Sequence, residues 1–488
     1  MSNELTALEP KALWNHFYGL TQVPHPSKKE EKILAYLKKL LTDMGYTFEQ
    51  DETGNLVVRK PATPGYENAP MVLIQGHVDM VCEKNKDTEF DFDNDPIDAY
   101  VDGEWVTAKG TTLGADNGIG VAAGLAVLEA KDMVHPPMEF LFTVDEETGL
   151  TGAKGLKPGF LKADIMLNLD SEEDGALYVG CAGGMDTAGV MRLKLSDAPA
   201  TSQAIDINLG GLKGGHSGLD VATGRGNAIK FLTRVLADLR ANVDGVQFSS
   251  MLGGSKRNAI PREAEAVIYV PQDKVDDVLG RMAGYQELFL NEIKAVEPGL
   301  TVTATKVGGN GKVADDAQFT ALLDALQALP TGVIKMSADI AGLVETSTML
   351  ATVTMDGDNI TIGTSQRSSV ESEKADIVAT VGAVLRLAGF EVVQGDGYPG
   401  WKPNMESSAL KFVKQSFNEL FSKDPEIKAI HAGLECGLIG EVFPNMDMIS
   451  FGPTIEGAHS PDERINIPAT ARFWDLVVKT LENVAKSK

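Results

Sequence analysis

Short apolar segments that alternate with helical segments dominate the first part of this chain. Residues 71–74, 140–144 and 165–169 show the pattern of buried strands, and residues 119–130 form an apolar, alanine-rich helix pattern. This alternation is typical of an α/β layer built around a mainly parallel sheet. In such folds ligands bind beyond the carboxyl ends of the strands, so we expect functional side chains just after the strand segments.

Side chains that can bind metal ions follow these strand patterns or a further one at residues 446–451, or lie in a glycine-marked loop just before the helix. They are His77, Asp116, Glu147, Asp170 and His459. Two imidazoles and three carboxylates suit a pair of divalent first-row ions, zinc foremost, with manganese or cobalt as alternatives. One carboxylate must then bridge two cations that lie about 3.5–4 Å apart. A histidine after a strand or an acidic turn is also common without any metal, so residue type by itself leaves a structural role open.

The pattern changes after the glycine-rich segment 180–184. Strand segments become more polar, as in residues 204–209, and helical patterns follow at 226–242, 273–296, 314–328 and 371–389. We therefore predict a separate α+β domain over residues 187–397, inserted into a domain formed by residues 1–186 and 398–488. Residues 395–401 are rich in turn formers and are the predicted hinge. The insertion would account for the long gap between Asp170 and His459.

A helix is predicted near the start of the chain. Ser27 and Glu30 match a capping box, which predicts Ser27 as the N-cap. Apolar residues recur at helical spacing from Ile33 to Met44, and Gly45 marks the end.

The composition excludes several classes of partner and location. The formal net charge is −25, which repels phosphate backbones, so we expect neither nucleic acid nor an anionic membrane as a partner. No apolar run reaches the roughly 20 residues of a membrane span. The three cysteines show no CxxC spacing and form no disulfide framework. These features predict a cytoplasmic protein.

The ligand candidates and their neighbours resemble a known family. His77-x-Asp79, residues 114–118, Glu146-Glu147-x-Gly149, Asp170 and His459 resemble the co-catalytic zinc exopeptidases of the aminoacylase and glutamate carboxypeptidase type. Longer strings are similar to the aminoacylhistidine dipeptidase branch, also called cytosol nonspecific dipeptidase. These strings are residues 110–120, 211–218, 257–262, 431–437 and 452–454.

The resemblance implies a zinc-exopeptidase-like catalytic domain that binds two divalent ions. It divides the ligands between two sites: Asp116 as the bridge, Glu147 and His459 in one site, His77 and Asp170 in the other. Glu146 would be the general base, and Asp79 would orient His77. The inserted domain would be a lid that also takes part in the contacts of a homodimer.

The resemblance also assigns substrate contacts to the lid. His216 would donate a hydrogen bond to the oxyanion, Asn258 would hold the substrate, and Arg367 would bind its free carboxylate. Bidentate pairing with a guanidinium suits that last role. Outside the lid, Glu435 is the candidate for contact with a substrate ammonium.

The function hypothesis is hydrolysis of small peptides, namely dipeptides of broad specificity that include Xaa-His. A metal-bridging hydroxide would attack, with Glu146 as the base. The alternative enzyme is an N-acyl amino-acid amidohydrolase on the same scaffold. A third hypothesis is a binding or assembly protein that keeps the fold without catalysis, against which Glu146 and the full ligand set argue.

Overall fold

The computed structural model describes residues 4–487 of the chain. Two short 3₁₀ helices lie at Glu4–Ala7 and Gln272–Lys274. The α-helices are α1 (Lys11–Thr21), α2 (Glu31–Asp43), α3 (Ala115–Glu129), α4 (Glu146–Gly149), α5 (Thr151–Gly155), α6 (Ala228–Asn242), α7 (Val275–Ile293), α8 (Asp316–Ala328), α9 (Glu371–Leu387), α10 (Ser408–Phe421), α11 (Glu435–Val442) and α12 (Ile467–Lys486). Helices α6 to α9 confirm the four helical patterns predicted between residues 226 and 389.

The strands are short in the first part of the chain and longer in the middle. They are β1 (Phe48–Gln50), β2 (Leu56–Lys60), β3 (Val72–His77), β4 (Ala99–Asp102), β5 (Trp105–Ala108), β6 (Met138–Thr143), β7 (Ile165–Asn168), β8 (Ala176–Cys181), β9 (Gly183–Arg192), β10 (Leu195–Asp197), β11 (Ser202–Gly210), β12 (Gly215–His216), β13 (Gln247–Gly253), β14 (Ala259–Ile260), β15 (Ala264–Pro271), β16 (Thr301–Val307), β17 (Lys312–Ala314), β18 (Gly332–Met336), β19 (Val344–Asp356), β20 (Asn359–Ser368), β21 (Glu391–Gln394), β22 (Glu426–Ile430), β23 (Asp447–Ser450), β24 (Ile455–Glu456) and β25 (Arg464–Asn466).

The chain divides into two compact units. The first comprises residues 1–181, 401–429 and 434–488, and the second comprises residues 182–400 and 430–433. The predicted inserted segment, 187–397, lies inside the second unit, but the observed limits differ from the predicted ones by a few residues. Residues 430–433 join the second unit because the N–H of Ala182 donates to the carbonyls of Ile430 and Ala432, both at 3.0 Å.

The first unit is built on an eight-stranded sheet whose order is β1-β2-β6-β3-β7-β23-β8-β22. Its centre is parallel, since β3 pairs in parallel with β6 and β7, and β7 with β23. Antiparallel strands flank this centre. The α/β class with a mainly parallel sheet is confirmed. A small antiparallel sheet, β24-β25-β5-β4, belongs to the same unit.

Close packing of α3 against the central strands positions the start of that helix. Every residue of β3 and β6 is buried, and α3 is apolar and buried from Ile119 to Leu128. A Cβ atom at Gly76 would lie 2.3 Å from Asn117 Oδ1, and one at Gly120 would lie 2.6 Å from the Leu169 carbonyl oxygen. Glycine at these two positions lets the first turn of α3 approach the carboxyl ends of β3 and β7.

The second unit contains a nine-stranded sheet in which β16-β11-β15-β13-β19-β20-β9-β21 run side by side, and β18 pairs with β19. The pairs are antiparallel, as expected for an α+β domain. Helices α6 to α9 bury their apolar faces in one core with this sheet. Among residues 4–487, no helix combines the length and apolar character that a membrane crossing requires.

Candidate active site

The candidate metal-binding side chains lie in the first unit, at the carboxyl ends of its central strands. His77 is the last residue of β3, Asp170 follows β7, and Glu147 lies in α4 directly after β6. Because β6, β3 and β7 are adjacent and parallel, their carboxyl ends meet at one edge of the sheet. Asp116 comes from the first turn of α3, and His459 from the loop between β24 and β25.

Two groups of three side chains share Asp116. Its Oδ1 atom lies 3.2 Å from Nε2 of His77, and that nitrogen also lies 3.2 Å from Oδ1 of Asp170. Its Oδ2 atom lies 3.1 Å from Nε2 of His459, and that nitrogen lies 3.0 Å from Oε2 of Glu147. In each group, one candidate ligand atom from every member lies within 4.8 Å of the others. Asp116 therefore lies between the two groups, where a bridging carboxylate is needed.

The atoms of these groups fit divalent cations. Oε1 of Glu147 is buried and has no hydrogen-bond donor among residues 4–487. A buried carboxylate oxygen without a partner is costly, and a cation would satisfy it. Hydrogen bonds that His459 donates to Asp116 and Glu147 raise the pKa of His459 to about 11, so this group strongly attracts positive charge. Imidazole and carboxylate donors of this kind are typical of zinc and related ions.

Asp79 is fully buried and holds two parts of the site. His77 Nδ1 donates to the backbone carbonyl of Asp79 at 3.0 Å, which turns Nε2 toward Asp116. The carboxylate of Asp79 lies 3.4 Å from the same Nδ1, and it accepts hydrogen bonds from the backbone N–H groups of Glu146 and Glu147 at 3.0 and 3.2 Å. Burial opposes ionisation, but His77 and these donors lower the pKa of Asp79 to about 2. Asp79 thus fixes the turn that carries Glu146 and Glu147 as well as the ring of His77.

Ser27 belongs to this network and does not cap a helix. Its Oγ atom donates to Asp79 Oδ2 at 2.8 Å. Helix α2 begins at Glu31, with Glu30 at the N-cap position, so the predicted capping box is wrong. Oε1 of Glu30 accepts the backbone N–H of Lys28 at 2.8 Å and that of Asp145 at 3.0 Å, so this carboxylate joins a local partner to a distant one.

Glu146 lies at the start of α4, beside Glu147. Burial raises the pKa of Glu146 well above its usual range, and the charge of His77 partly opposes that shift. Candidate ligand atoms of His77, Glu146 and Glu147 also lie within 4.8 Å of one another. A carboxyl group in such surroundings is suited to accept a proton and return it.

Glu435 is fully buried, with 0% exposure, and bonds to the central strands. Gln75 Nε2 and Thr143 Oγ1 donate to its Oε2 atom at 2.5 and 2.7 Å, and Asn168 Nδ2 donates to Gln75 Oε1 at 2.5 Å. This network joins β7, β3, β6 and α11 close to the strand ends that carry the candidate ligands. The contact of Glu435 with a substrate ammonium stays a prediction: its Oε2 atom has protein partners, whereas its buried Oε1 atom accepts no hydrogen bond in the described part of the chain.

In the second unit, the turn after β12 holds the ring of His216. Nδ1 accepts the backbone N–H groups of Gly218 and Leu219 at 3.2 and 3.0 Å. Burial, together with the positive charge of Arg367, lowers the pKa of His216 to about 4, so the ring is neutral at pH 7. Because Nδ1 accepts, Nε2 carries the proton and can donate it in a hydrogen bond. Asn258 is exposed in the neighbouring strand connection, where its carbonyl accepts the N–H of the residue after His216.

Arg367 lies near the end of β20 and is 6% exposed. Its Nη1 atom donates to Tyr398 Oη at 2.7 Å, whereas its Nε–H has no acceptor in the described part of the chain. His431 lies in the same cluster, 2.6 Å from Ser347 Oγ, and burial with the charge of Arg367 lowers the pKa of His431 to about 4. A buried guanidinium with an unused donor suits an anionic group.

Sequence reasoning missed two residues of these clusters, Glu463 and His431. Glu463 accepts four backbone N–H groups from residues 113–116. Leu113 is 350 positions away, so no local pattern marks the contact. His431 opens one of the strings that carried the family resemblance, but its position in that string indicates no role.

Comparison with known proteins identifies the family of this chain. Residues 73–483 match Peptidase family M20/M25/M40. The chain is 43% identical over 482 residues to the cytosol non-specific dipeptidase of Escherichia coli (strain K12), with 99% of both sequences covered. The crystal structure of aminoacylhistidine dipeptidase from Vibrio alginolyticus is similar with a TM-score of 0.90 and 44% identity, covering 98% of both chains. Aminopeptidase PepT from Bacillus cereus ATCC 10987 shares the fold, with a TM-score of 0.59 and 18% identity over 98% of this chain and all of that one.

The family match covers most of the sequence, and the Escherichia coli relative is matched along nearly its whole length. The family resemblance drawn from the motifs is therefore confirmed. This chain belongs to Peptidase family M20/M25/M40.

Proposed function

We propose that this protein is a metal-dependent dipeptidase of broad specificity that accepts Xaa-His dipeptides. The pair of ligand groups that share Asp116, with Glu146 beside Glu147, is the observation that carries the proposal. Two relatives matched over almost their full length, a non-specific dipeptidase and an aminoacylhistidine dipeptidase, support it.

In this role, Asp116 would contact both cations. His77 and Asp170 would complete one site, and Glu147 and His459 the other. When bound, two divalent cations lower the pKa of a water molecule and polarise the scissile carbonyl.

The residues around the ligands supply proton transfer. Glu146 accepts a proton from the attacking water and returns it to the leaving amine. Asp79 fixes the backbone N–H groups of Glu146 and Glu147, which keeps the base at a constant position relative to a ligand. Such fixed geometry is what efficient proton transfer needs.

The second unit supplies polar groups for the substrate. His216 donates its Nε2–H to the developing oxyanion, and its neutral ring keeps that proton at pH 7. Arg367 binds the free carboxylate of the dipeptide, and Asn258 contacts the peptide.

A first prediction concerns the substrate carboxylate. We expect a dipeptide with an amidated C-terminus to be cleaved about 10–100-fold less efficiently than the free acid, because a charged hydrogen bond is lost. Arg367→Met should remove most of that difference in kcat/KM. Arg386→Met, at an exposed position on α9, is the matched control and should keep it. If Arg367→Met still distinguishes the two substrates as wild type does, the assignment of Arg367 is wrong.

A second prediction tests the activity itself. We expect hydrolysis of Xaa-His and other dipeptides to stop when metal ions are removed by a chelator, and to return with Zn²⁺ or Mn²⁺, because both ligand groups need a cation. A free-amine dipeptide should be cleaved faster than its N-acetylated form. Preference for the acetylated form would favour an N-acyl amino-acid amidohydrolase. Failure to cleave either form with metals present would favour a non-catalytic binding protein.

Three finer assignments complete the proposal. Zinc is the proposed native ion, because imidazole and carboxylate are donors it commonly uses. A cytoplasmic location is supported by the cytosolic relative and by the unpaired cysteines, Cys82, Cys181 and Cys436. A homodimer rests on the family resemblance.

A further inference from the structure

Glu463 is a buried carboxylate at which four backbone donors converge. It is 2% exposed. Its Oε2 atom accepts the N–H groups of Leu113 and Gly114 at 2.7 and 3.0 Å, and its Oε1 atom accepts those of Ala115 and Asp116 at 2.7 and 3.2 Å. Each of the four donors needs an acceptor, so a carboxylate fits this place, whereas an amide would turn its NH₂ group toward N–H groups. Glu463 thereby fixes the backbone from which the Asp116 side chain projects.

The backbone of Glu463 anchors the loop that carries His459. The N–H of Glu463 donates to the Ser460 carbonyl at 3.1 Å, and the N–H of Ser460 donates to the Gly457 carbonyl at 3.1 Å. The Glu463 carbonyl accepts Thr107 Oγ1 at 2.8 Å. His459 itself has a φ of 63°, a left-handed conformation that the surrounding loop must maintain.

We infer that Glu463 is a positioning residue that sets how tightly the group of Asp116, Glu147 and His459 binds its metal ion. Glu463 joins the backbone of Asp116 to the loop that carries His459, two segments that are far apart in the sequence. This inference rests on the proposed function, because it presupposes a pair of bound ions. Ligands must be held within about 0.5 Å of their working positions, so loosening this link weakens binding.

A purely structural role would leave a different signature. A carboxylate at the start of a helix also stabilises that helix through its end charges. Loss of that role alone would lower the melting temperature of the metal-free protein and would weaken the binding of both ions by the same factor. Within the group that contains His459, Glu463 bonds directly to the backbone of Asp116 and is linked to His459 through the loop that carries this histidine. It contacts one member, Asp116, of the group that contains His77.

The test is titration of the metal-free protein with Zn²⁺, followed by calorimetry, and with Co²⁺, followed by its visible absorption. His459→Ala identifies which binding step belongs to the His459 group. In Glu463→Gln, we expect that step to weaken about 10–100-fold, the range seen when residues behind metal ligands are changed. The other step should weaken by a smaller factor, and the Co²⁺ absorption of the affected step should shift.

Two further variants keep the result interpretable. Asp462→Asn removes the same charge from an exposed neighbour in the same loop and should bind both ions like wild type. Glu463→Asp keeps the carboxylate at a shorter reach and should fall between wild type and Glu463→Gln, which covers the case that Glu463→Gln fails to fold. Equal weakening of both steps with a lower melting temperature, or binding like that of Asp462→Asn, overturns the inference alone. A wild-type protein that takes up no pair of ions overturns the proposed function and this inference with it.

Discussion

Glu146→Gln is expected to lower kcat by about 10²–10⁴-fold while the protein still binds both metal ions. The amide keeps the size of the side chain but cannot accept the proton of the attacking water. Asp79 bonds to the backbone N–H of Glu146, so the turn should keep its shape in the variant. Steady-state kinetics and metal analysis of the purified variant check both parts of this expectation.

The neighbouring residue provides the matched control. Glu147→Gln carries the same chemical change one position later. We expect this variant to lose a metal ion, because Glu147 contacts His459 in the group that these two residues form with Asp116. Atoms of Glu146 are also close to those of His77 and Glu147. Glu146 could therefore be the metal ligand and Glu147 the base, and the metal content of the two variants distinguishes these assignments. Loss of an ion in Glu146→Gln together with full occupancy in Glu147→Gln would exchange the two roles.

Asp116→Asn is expected to weaken the binding of both ions, by more than the roughly 10–100-fold expected of a residue that lies behind the ligands. Asp116 presents one oxygen to His77 and the other to His459, so both groups depend on it. Activity should fall to background at metal concentrations that saturate the wild type. Calorimetric titration of the metal-free variant measures both steps directly.

Asp170→Asn tests whether Asp116 is the ligand that both groups share, because Asp170 belongs to only one of them. Asp170 contacts His77 and belongs to one group, so we expect its loss to weaken one step and to spare the other. If Asp116→Asn and Asp170→Asn gave the same pattern, Asp116 would not be the bridge. Circular dichroism of each metal-free variant shows whether the fold is kept.

Much of the fold could be predicted because its signals are local. Apolar runs placed β3, β6 and β7, and helical periodicity placed α6 to α9, within a few residues. The candidate ligands were recognisable because each follows a strand pattern or, for Asp116, lies in a glycine-marked loop at the start of a helix. Boundaries were less accurate: residues 430–433 join the second unit through hydrogen bonds to Ala182, and no composition change marks that contact.

The errors and omissions share one physical cause. Ser27 and Glu30 satisfy a local capping pattern, but Ser27 Oγ donates to Asp79, and Glu30 accepts the N–H of distant Asp145 as well as that of Lys28. A side chain has few hydrogen-bonding positions, and a buried long-range partner can displace a local one. A local sequence pattern therefore predicts that a polar side chain will form a hydrogen bond, but it does not predict the partner.

The sequence by itself determined the family, the α/β class and the side chains that can bind metal, since these depend on residue identity and short-range periodicity. Tertiary structure decided which atoms meet. It brought the two oxygens of Asp116 to histidines from β3 and from the β24–β25 loop, and it set four N–H groups around the carboxylate of Glu463. Residues hundreds of positions apart meet only after the sheet and its loops have packed, and their contacts depend on distances that sequence spacing does not encode.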